Sequence, residues 1–249
     1  MQTDYYATLD AVQERHWWYV ARRDILERVL RQVFAEGVPS GTLYDLGCGV
    51  GANLPVLEKF GPTRGLDMAE QAVEFCRRRG RHNVEQADLN VLQGIPDASA
   101  SVVVLADVIE HLDDERLCLE AARRALAPGG ALIVTVPAYM FLWSPADDIN
   151  HHRRRYTAGH LRRVVEPGFE IRHLTYFNTL LFGLVLAGRV GEKLLKRGGD
   201  DMAHVPPSPV NQALRTIFAA EANVVPRHRL PFGVSLLCVA RKPAERGAA

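Results

Sequence analysis

The stretch TLYDLGCGVGANLPVLEKF, residues 42–60, constrains the fold more than any other. A short apolar run ends at Asp45, glycines follow at 47, 49 and 51, and a helix-like pattern begins at Asn53. Glycine admits backbone conformations that a Cβ forbids, so the stretch reads as strand, tight turn and helix. Such a turn brings bare backbone and the positive end of a helix dipole together at the edge of a sheet, where open parallel sheets bind their ligands.

The alternation continues downstream. TRGLD (63–67) reads as a second strand, MAEQAVEFCRRRG as a helix stopped by Gly80, and NVEQAD (83–88) as a third strand. SVVVLAD (101–107) is a continuous apolar run of the kind buried on both faces. DDERLCLEAARRAL (113–126) is a helix with acids in its first turn, arginines near its last and PGG (128–130) ending it, and ALIVTV (131–136) is a fifth strand. This order predicts an α/β fold with a mostly parallel, doubly wound sheet covered by helices on both faces.

After Pro137 the rhythm changes. WSPADDINHHRRRYT (143–157) reads as a polar loop over the sheet's C-terminal edge, GHLRRVV as a helix and FEIRHLTYF as a strand. Residues 178–198 read as an apolar helix, 199–211 as a mobile loop and VSLLCVARK (234–242) as a late strand. The first 40 residues read as helices leading into the sheet, all within one domain.

Composition removes several classes. A net charge of +1 gives no global field for nucleic acid or acidic membrane. The longest uncharged stretch, Leu174 to Gly188, is shorter than the roughly 20 residues of a spanning helix. No signal-peptide layout is present at the N-terminus. The cysteines at 48, 76, 118 and 238 have no metal-ligand spacing and read as reduced thiols of a cytoplasmic protein.

The turn also narrows its ligand. Its spacing is Asp45-x-Gly-x-Gly-x-Gly, whereas a dinucleotide fingerprint has its third glycine one position later. Asp45 would repel a pyrophosphate but attract an ammonium or orient water. Asp67 ends the second strand about 20 residues after Gly47, where an acid accepts from ribose hydroxyls. The ligand is therefore a nucleoside with a positive, phosphate-free tail, a description S-adenosylmethionine meets.

Over roughly residues 10–175 the chain resembles the class I S-adenosylmethionine-dependent methyltransferases. DLGCGVG is similar to the family's first motif, GLDMAEQAV to its second, QADLNVLQGIPDASASVVVLADVIEHL to the third region and ALAPGGALIVTVP to the helix, turn and strand that follow. The resemblance implies a seven-stranded Rossmann-like sheet with an antiparallel last strand. It divides the domain into an N-terminal helical lid (1–40), a cofactor-binding core (41–137) and an acceptor side (138–249). It further implies that Gly47, Cys48 and Gly49, with Asp45, approach the methionine part of the cofactor. Asp67 would hold the ribose, Met68 lie along the adenine, Asp88 accept from its amino group, Leu89 flank the ring and Asp107 lie near the transferable methyl. The segment ERHWWYVARRD resembles a lid in a subset of these enzymes, in which Arg22 or Arg23 pairs with the methionine carboxylate.

An alcohol acceptor needs a base. His111, four residues after Asp107, would share a helix face with it. In the loop, Asp147, Asp148, His151 and His152 offer a carboxylate–imidazole pair, or ligands for a divalent cation, although no metal is assigned. Trp143, Asp147, His152, Arg155 and Tyr156 match a spacing found in small bacterial methyltransferases, which favours His152 over His151 as the base. Trp143, His151, Arg155, Tyr156 and Asn178 are the expected acceptor contacts. The expectation is methylation of a hydroxyl or carboxyl group of a small molecule. A non-catalytic binding subunit and a nucleotide-dependent oxidoreductase are the alternatives. A nucleic-acid substrate is disfavoured, because the chain has neither an Asn-Pro-Pro-Tyr type motif nor an aromatic–basic stripe.

Overall fold

The computed structural model describes residues 3–195 and 204–244. Two helices, α1 (Thr3–Val12) and α2 (Trp17–Ala35), precede the sheet. His16 caps α2 by accepting from the Trp18 amide. The buried residues of α2, from Ala21 through Ile25, Leu26, Val29 and Leu30 to Val33, recur at helical spacing and face the sheet.

The alternating region runs β1 (Thr42–Leu46), α3 (Leu54–Leu57), β2 (Thr63–Asp67), α4 (Glu70–Arg78), β3 (Val84–Gln86), β4 (Ala100–Ala106), α5 (Glu115–Ala125) and β5 (Leu126–Pro137). It continues with α6 (Pro145–Ile149), α7 (Ala158–Val165), β6 (Glu170–Phe177), α8 (Phe182–Leu195), α9 (Ser208–Ala220) and β7 (Ser235–Arg241). The sheet order is β3-β2-β1-β4-β5-β7-β6. Strands β1 to β5 pair in parallel, and β7 runs antiparallel between β5 and β6. This is the doubly wound sheet with an antiparallel last strand that the sequence predicts.

Strand β4 shows why its apolar run is unbroken. Val103 and Leu105 face the core shared with α5 and α7, while Val102 and Val104 face the core shared with α2 and α9. Both faces are covered, so no alternation is needed.

Three local readings change. The PGG segment does not separate helix from strand, since β5 begins at Leu126. Ala100 pairs with Leu126 and Val102 with Ala131, so the glycines bulge out of the ladder, and Gly129 takes a φ of 79°. The polar loop contains α6, started by a capping box between Ser144 and Asp147 with a proline in the first turn. The apolar helix starts at Phe182, not at 178, because Asn178 has a φ of 57°. Of the expected loop at 199–211, residues 199–203 lie outside the described residues, as do 196–198 of the expected helix, and Ser208 already opens α9.

Candidate active site

A cavity of about 530 Å³ lies beyond the carboxyl ends of β1, β2 and β4, walled by α1 and α2 on one side and α6 with the following loop on another. Its volume falls within the usual range for small-molecule sites, ~300–1,000 Å³.

One end is built by the glycine turn. The Gly47 and Cys48 amides donate to the Leu66 carbonyl at 2.7 and 3.0 Å, which folds the turn back onto β2. Gly47 has a φ of 73°, and a Cβ there would stand 2.5 Å from Val108 Cγ2. Only glycine fits. Gly49 donates its amide to Asp67 Oδ2 at 2.8 Å and Ala69 donates to Asp67 Oδ1 at 2.9 Å, so Asp67 ties the turn to the start of α4. Burial raises the Asp67 carboxyl. Each of its oxygens keeps a second lone pair for a ligand. Gly47, Cys48, Gly49, Asp67, Met68 and Leu89 all line the cavity.

Asp45 and Asp88 do not. Asp88 accepts from the Asn90 amide at 2.9 Å. Asp45 is fully buried beneath the turn, neither carboxylate oxygen meets a donor at hydrogen-bond geometry, and burial pushes it up to about 7 against the opposing pull of Asn53 and Arg22.

Arg22 and Asp107 form an ion pair at the cavity wall. The Arg22 guanidinium carbon lies 4.4 Å from the centroid of the Trp18 ring, a cation–π contact that leaves its edge directed at Asp107. Arg23 points elsewhere, to the Gln13 carbonyl and Glu14. Asp107 has a φ of 57°, which ends β4 sharply and prevents the helix that would have put Asp107 and His111 on one face. A 3₁₀ turn, Ile109–His111, follows instead, and both residues still reach the cavity.

The other end is acidic and imidazole-rich. Asp147, buried, accepts from Arg155 Nε at 2.8 Å and Nη2 at 3.0 Å, from the Ser144 amide at 2.8 Å and from the Ser144 hydroxyl at 3.1 Å. His152 Nδ1 stands 2.8 Å from Asp147 Oδ1. Burial would raise the Asp147 carboxyl, but His152 and Arg155 together hold it well below the usual carboxylate range. An ionised Asp147 makes His152 Nδ1 the donor and leaves the lone pair on Nε2. The His111 and His152 rings meet edge to face at 4.7 Å. Burial pulls His111 down to about 4, aided by His152.

Asp147, His152, Arg155 and His111 thus meet on one wall, whereas Trp143, His151, Tyr156 and Asn178 are absent from the lining. Trp143 donates to Asp148, His151 is exposed, Tyr156 is a core residue and Asn178 is buried after β6. Among the lining residues that the sequence reading did not single out, Glu110 and Gln13 stand out. Glu110 is wholly buried, and burial pushes it up to about 8. Its signal was an acid inside the apolar run VIEHL. Gln13 is wholly buried with both amide atoms unpartnered, and no pattern distinguishes it.

Comparison with known proteins agrees with this architecture. Residues 44–134 match a methyltransferase domain family. A probable S-adenosylmethionine-dependent methyltransferase of Mycolicibacterium smegmatis is 30% identical over 170 residues, covering 66% of this chain and 63% of that protein. A trans-aconitate 2-methyltransferase of Sinorhizobium fredii is 34% identical over 125 residues, covering 48% of each. The chain therefore spans less than two thirds of the length of these relatives. In fold it is similar to a crystal structure of an S-adenosylmethionine-dependent methyltransferase from Archaeoglobus fulgidus, with a TM-score of 0.56 at 21% identity over 88% of this chain and 94% of that one. By its matched residues and its sheet, the chain carries a methyltransferase domain on the class I fold, of the kind named for S-adenosylmethionine in its relatives.

Proposed function

We propose that the protein methylates an oxygen, hydroxyl or carboxyl, of a small metabolite, sugar or natural product. The observation that carries this reading is the His152–Asp147 pair, 2.8 Å apart, in the same cavity as the glycine turn. A relative named for trans-aconitate, a small acid, supports the acceptor class. Buried free thiols support a reducing, cytoplasmic setting.

The chain's residues fit the cofactor. The bare backbone at Gly47 and Gly49 receives the amino-acid end, Asp67 the ribose, and Met68 and Leu89 the adenine faces. Arg22 and Asp107 are a cation and an anion already matched to each other, and an amino-acid zwitterion offers the complementary anion and cation. Asp45 lends negative potential beneath the turn, and Asp88 orders the loop that carries Leu89. When bound, the cofactor supplies a methyl already activated by its sulfonium charge. The protein's part is to align the acceptor and exclude water. His152, its Nδ1–H fixed by Asp147, presents Nε2 to take the acceptor's proton. Arg155 positions Asp147. Residues 1–40 act as the lid, 41–137 as the cofactor core and 138–249 as the acceptor side of one domain.

Incubation with the cofactor and a panel of hydroxy and carboxylic acids, followed by release of S-adenosylhomocysteine, tests the reading. O-methylated product that disappears in H152A supports it. Methylated amine or carbon products, with undiminished turnover in H152A, contradict it.

A further inference from the structure

Glu110, His111 and His152 each bring one ligand-type atom to within 4.8 Å of the other two. Two segments supply them, the 3₁₀ turn after β4 and the loop after α6. Backbone and arginine contacts clamp these segments together. The Arg153 amide donates to the Glu110 carbonyl at 2.8 Å, Arg153 Nε to the His111 carbonyl at 3.0 Å, and Arg154 Nη2 to the Leu112 carbonyl at 2.9 Å.

The atoms so gathered lack partners. Both Glu110 carboxylate oxygens and His111 Nδ1 are buried without a hydrogen bond from another of the described residues. His152 spends Nδ1 on Asp147 and keeps Nε2. The nearby guanidinium groups are committed, Arg22 to Asp107 and Arg155 to Asp147, and neither donates a hydrogen bond to Glu110. Unpaired buried polar atoms are costly, and those of Glu110 and His111 face His152 Nε2 on one cavity wall, where a common partner would satisfy all three.

We propose that Glu110, His111 and His152 bind a divalent first-row transition cation at the acceptor end of the cavity. Two imidazoles and a carboxylate suit Mn²⁺, Fe²⁺, Co²⁺ or Zn²⁺ better than Mg²⁺ or Ca²⁺. Three protein ligands leave a position open toward the cavity, as catalytic sites do. Asp147 behind His152 is the carboxylate that commonly orients a ligating imidazole. Bonds of about 2.1 Å require ligand atoms about 3 to 3.5 Å apart, so the cluster closes by a small rotation of side chains. Resting on the acceptor-end reading above, the consequence is that a bound cation would hold an acceptor oxygen and ease loss of its proton to water, with His152 acting as the base in the metal-free site.

Cobalt titration of the chelator-treated full chain, followed by visible absorption with calorimetry alongside, tests the site without cofactor or acceptor. The result is thus independent of whether methyl transfer is ever observed. One Co²⁺ per chain is expected, with affinity falling at least tenfold in E110Q and H111N, about 10–100-fold in D147N, and unchanged in the surface variant E58Q. Circular dichroism verifies that each variant is folded. Absence of binding to folded native protein at millimolar Co²⁺, or equal affinity in folded E110Q and H111N, overturns the proposal.

Discussion

Arg22 in α2 and Asp107 at the end of β4, 85 residues apart in sequence, form a largely buried ion pair under the Trp18 ring. The pair stands at the cavity wall between the glycine turn, α2 and the 3₁₀ turn that carries Glu110 and His111. Burial favours the neutral form of Arg22, and Tyr19, Asp45 and Glu110 oppose that tendency. The arrangement holds two opposite charges at the place proposed above to receive an amino-acid zwitterion.

Replacing Arg22 by glutamine removes the cation proposed to meet the cofactor carboxylate. Charge-assisted hydrogen bonds are worth ~1.5–3 kcal/mol, so the dissociation constant for S-adenosylmethionine rises about 10- to 100-fold. Calorimetry reads it. The Arg23 to glutamine variant, directed at Gln13 and Glu14, stays within about threefold of native.

Gly47→Ala places a Cβ 2.5 Å from Val108 Cγ2 at a φ of 73°. Strain and overpacking of this kind cost about 1–3 kcal/mol each. For a chain of this size each kcal/mol is ~2–4 °C, so the two together lower the melting temperature by about 4–24 °C, as scanning calorimetry can check. The Val108→Ala second substitution recovers part of the loss.

His152 and Asp147 separate by their support roles. His152→Gln lowers kcat by about 10²- to 10⁴-fold with little change in melting temperature. Asp147→Asn lowers both, because the buried carboxylate accepts from Arg155, Ser144 and His152; breaking such a centre costs ~3–5 kcal/mol. Folded Asp147 titrates below its usual range. Its stabilisation is therefore complete above about pH 4, and is lost as pH falls further. Thermal melts between pH 3 and 7 should show D147N nearly insensitive to that acid loss.

Asp45 has the opposite sign. Its folded carboxyl sits at about 7 against an ordinary value of 3.8. Between those values the folded chain holds a proton that the unfolded chain has lost, so stability declines as pH rises from about 4 to 7 and then levels off. Asp45→Asn removes the decline, and melting temperatures of the variant relative to native should be higher at pH 8 than at pH 5.

Much of this was legible because the signals are local. β4 reads from its own Val102–Leu105 run, and the turn from glycines that nothing else can replace at Gly47. Asp67 reads from its place at a strand end. What was not legible depends on distant contacts. Asp107 and His111 share the cavity through a left-handed residue, not through helical spacing. Tyr156 and Asn178 are polar residues that the tertiary fold buries away from the cavity. Glu110 stands out in sequence only as an acid inside the apolar run VIEHL, and its isolation arises from the packing of α6 and the loop after it over the turn. The PGG segment misled because a bulge and a helix stop use the same residues.

The central claim is that residues 45–67 and Arg22 enclose an adenosyl amino acid and not a dinucleotide. Isothermal titration of the purified protein with S-adenosylmethionine, S-adenosylhomocysteine and a nicotinamide dinucleotide tests it directly. One equivalent of each S-adenosyl compound binding, with no heat from the dinucleotide, is the predicted result. Dinucleotide binding with both S-adenosyl compounds silent would contradict it.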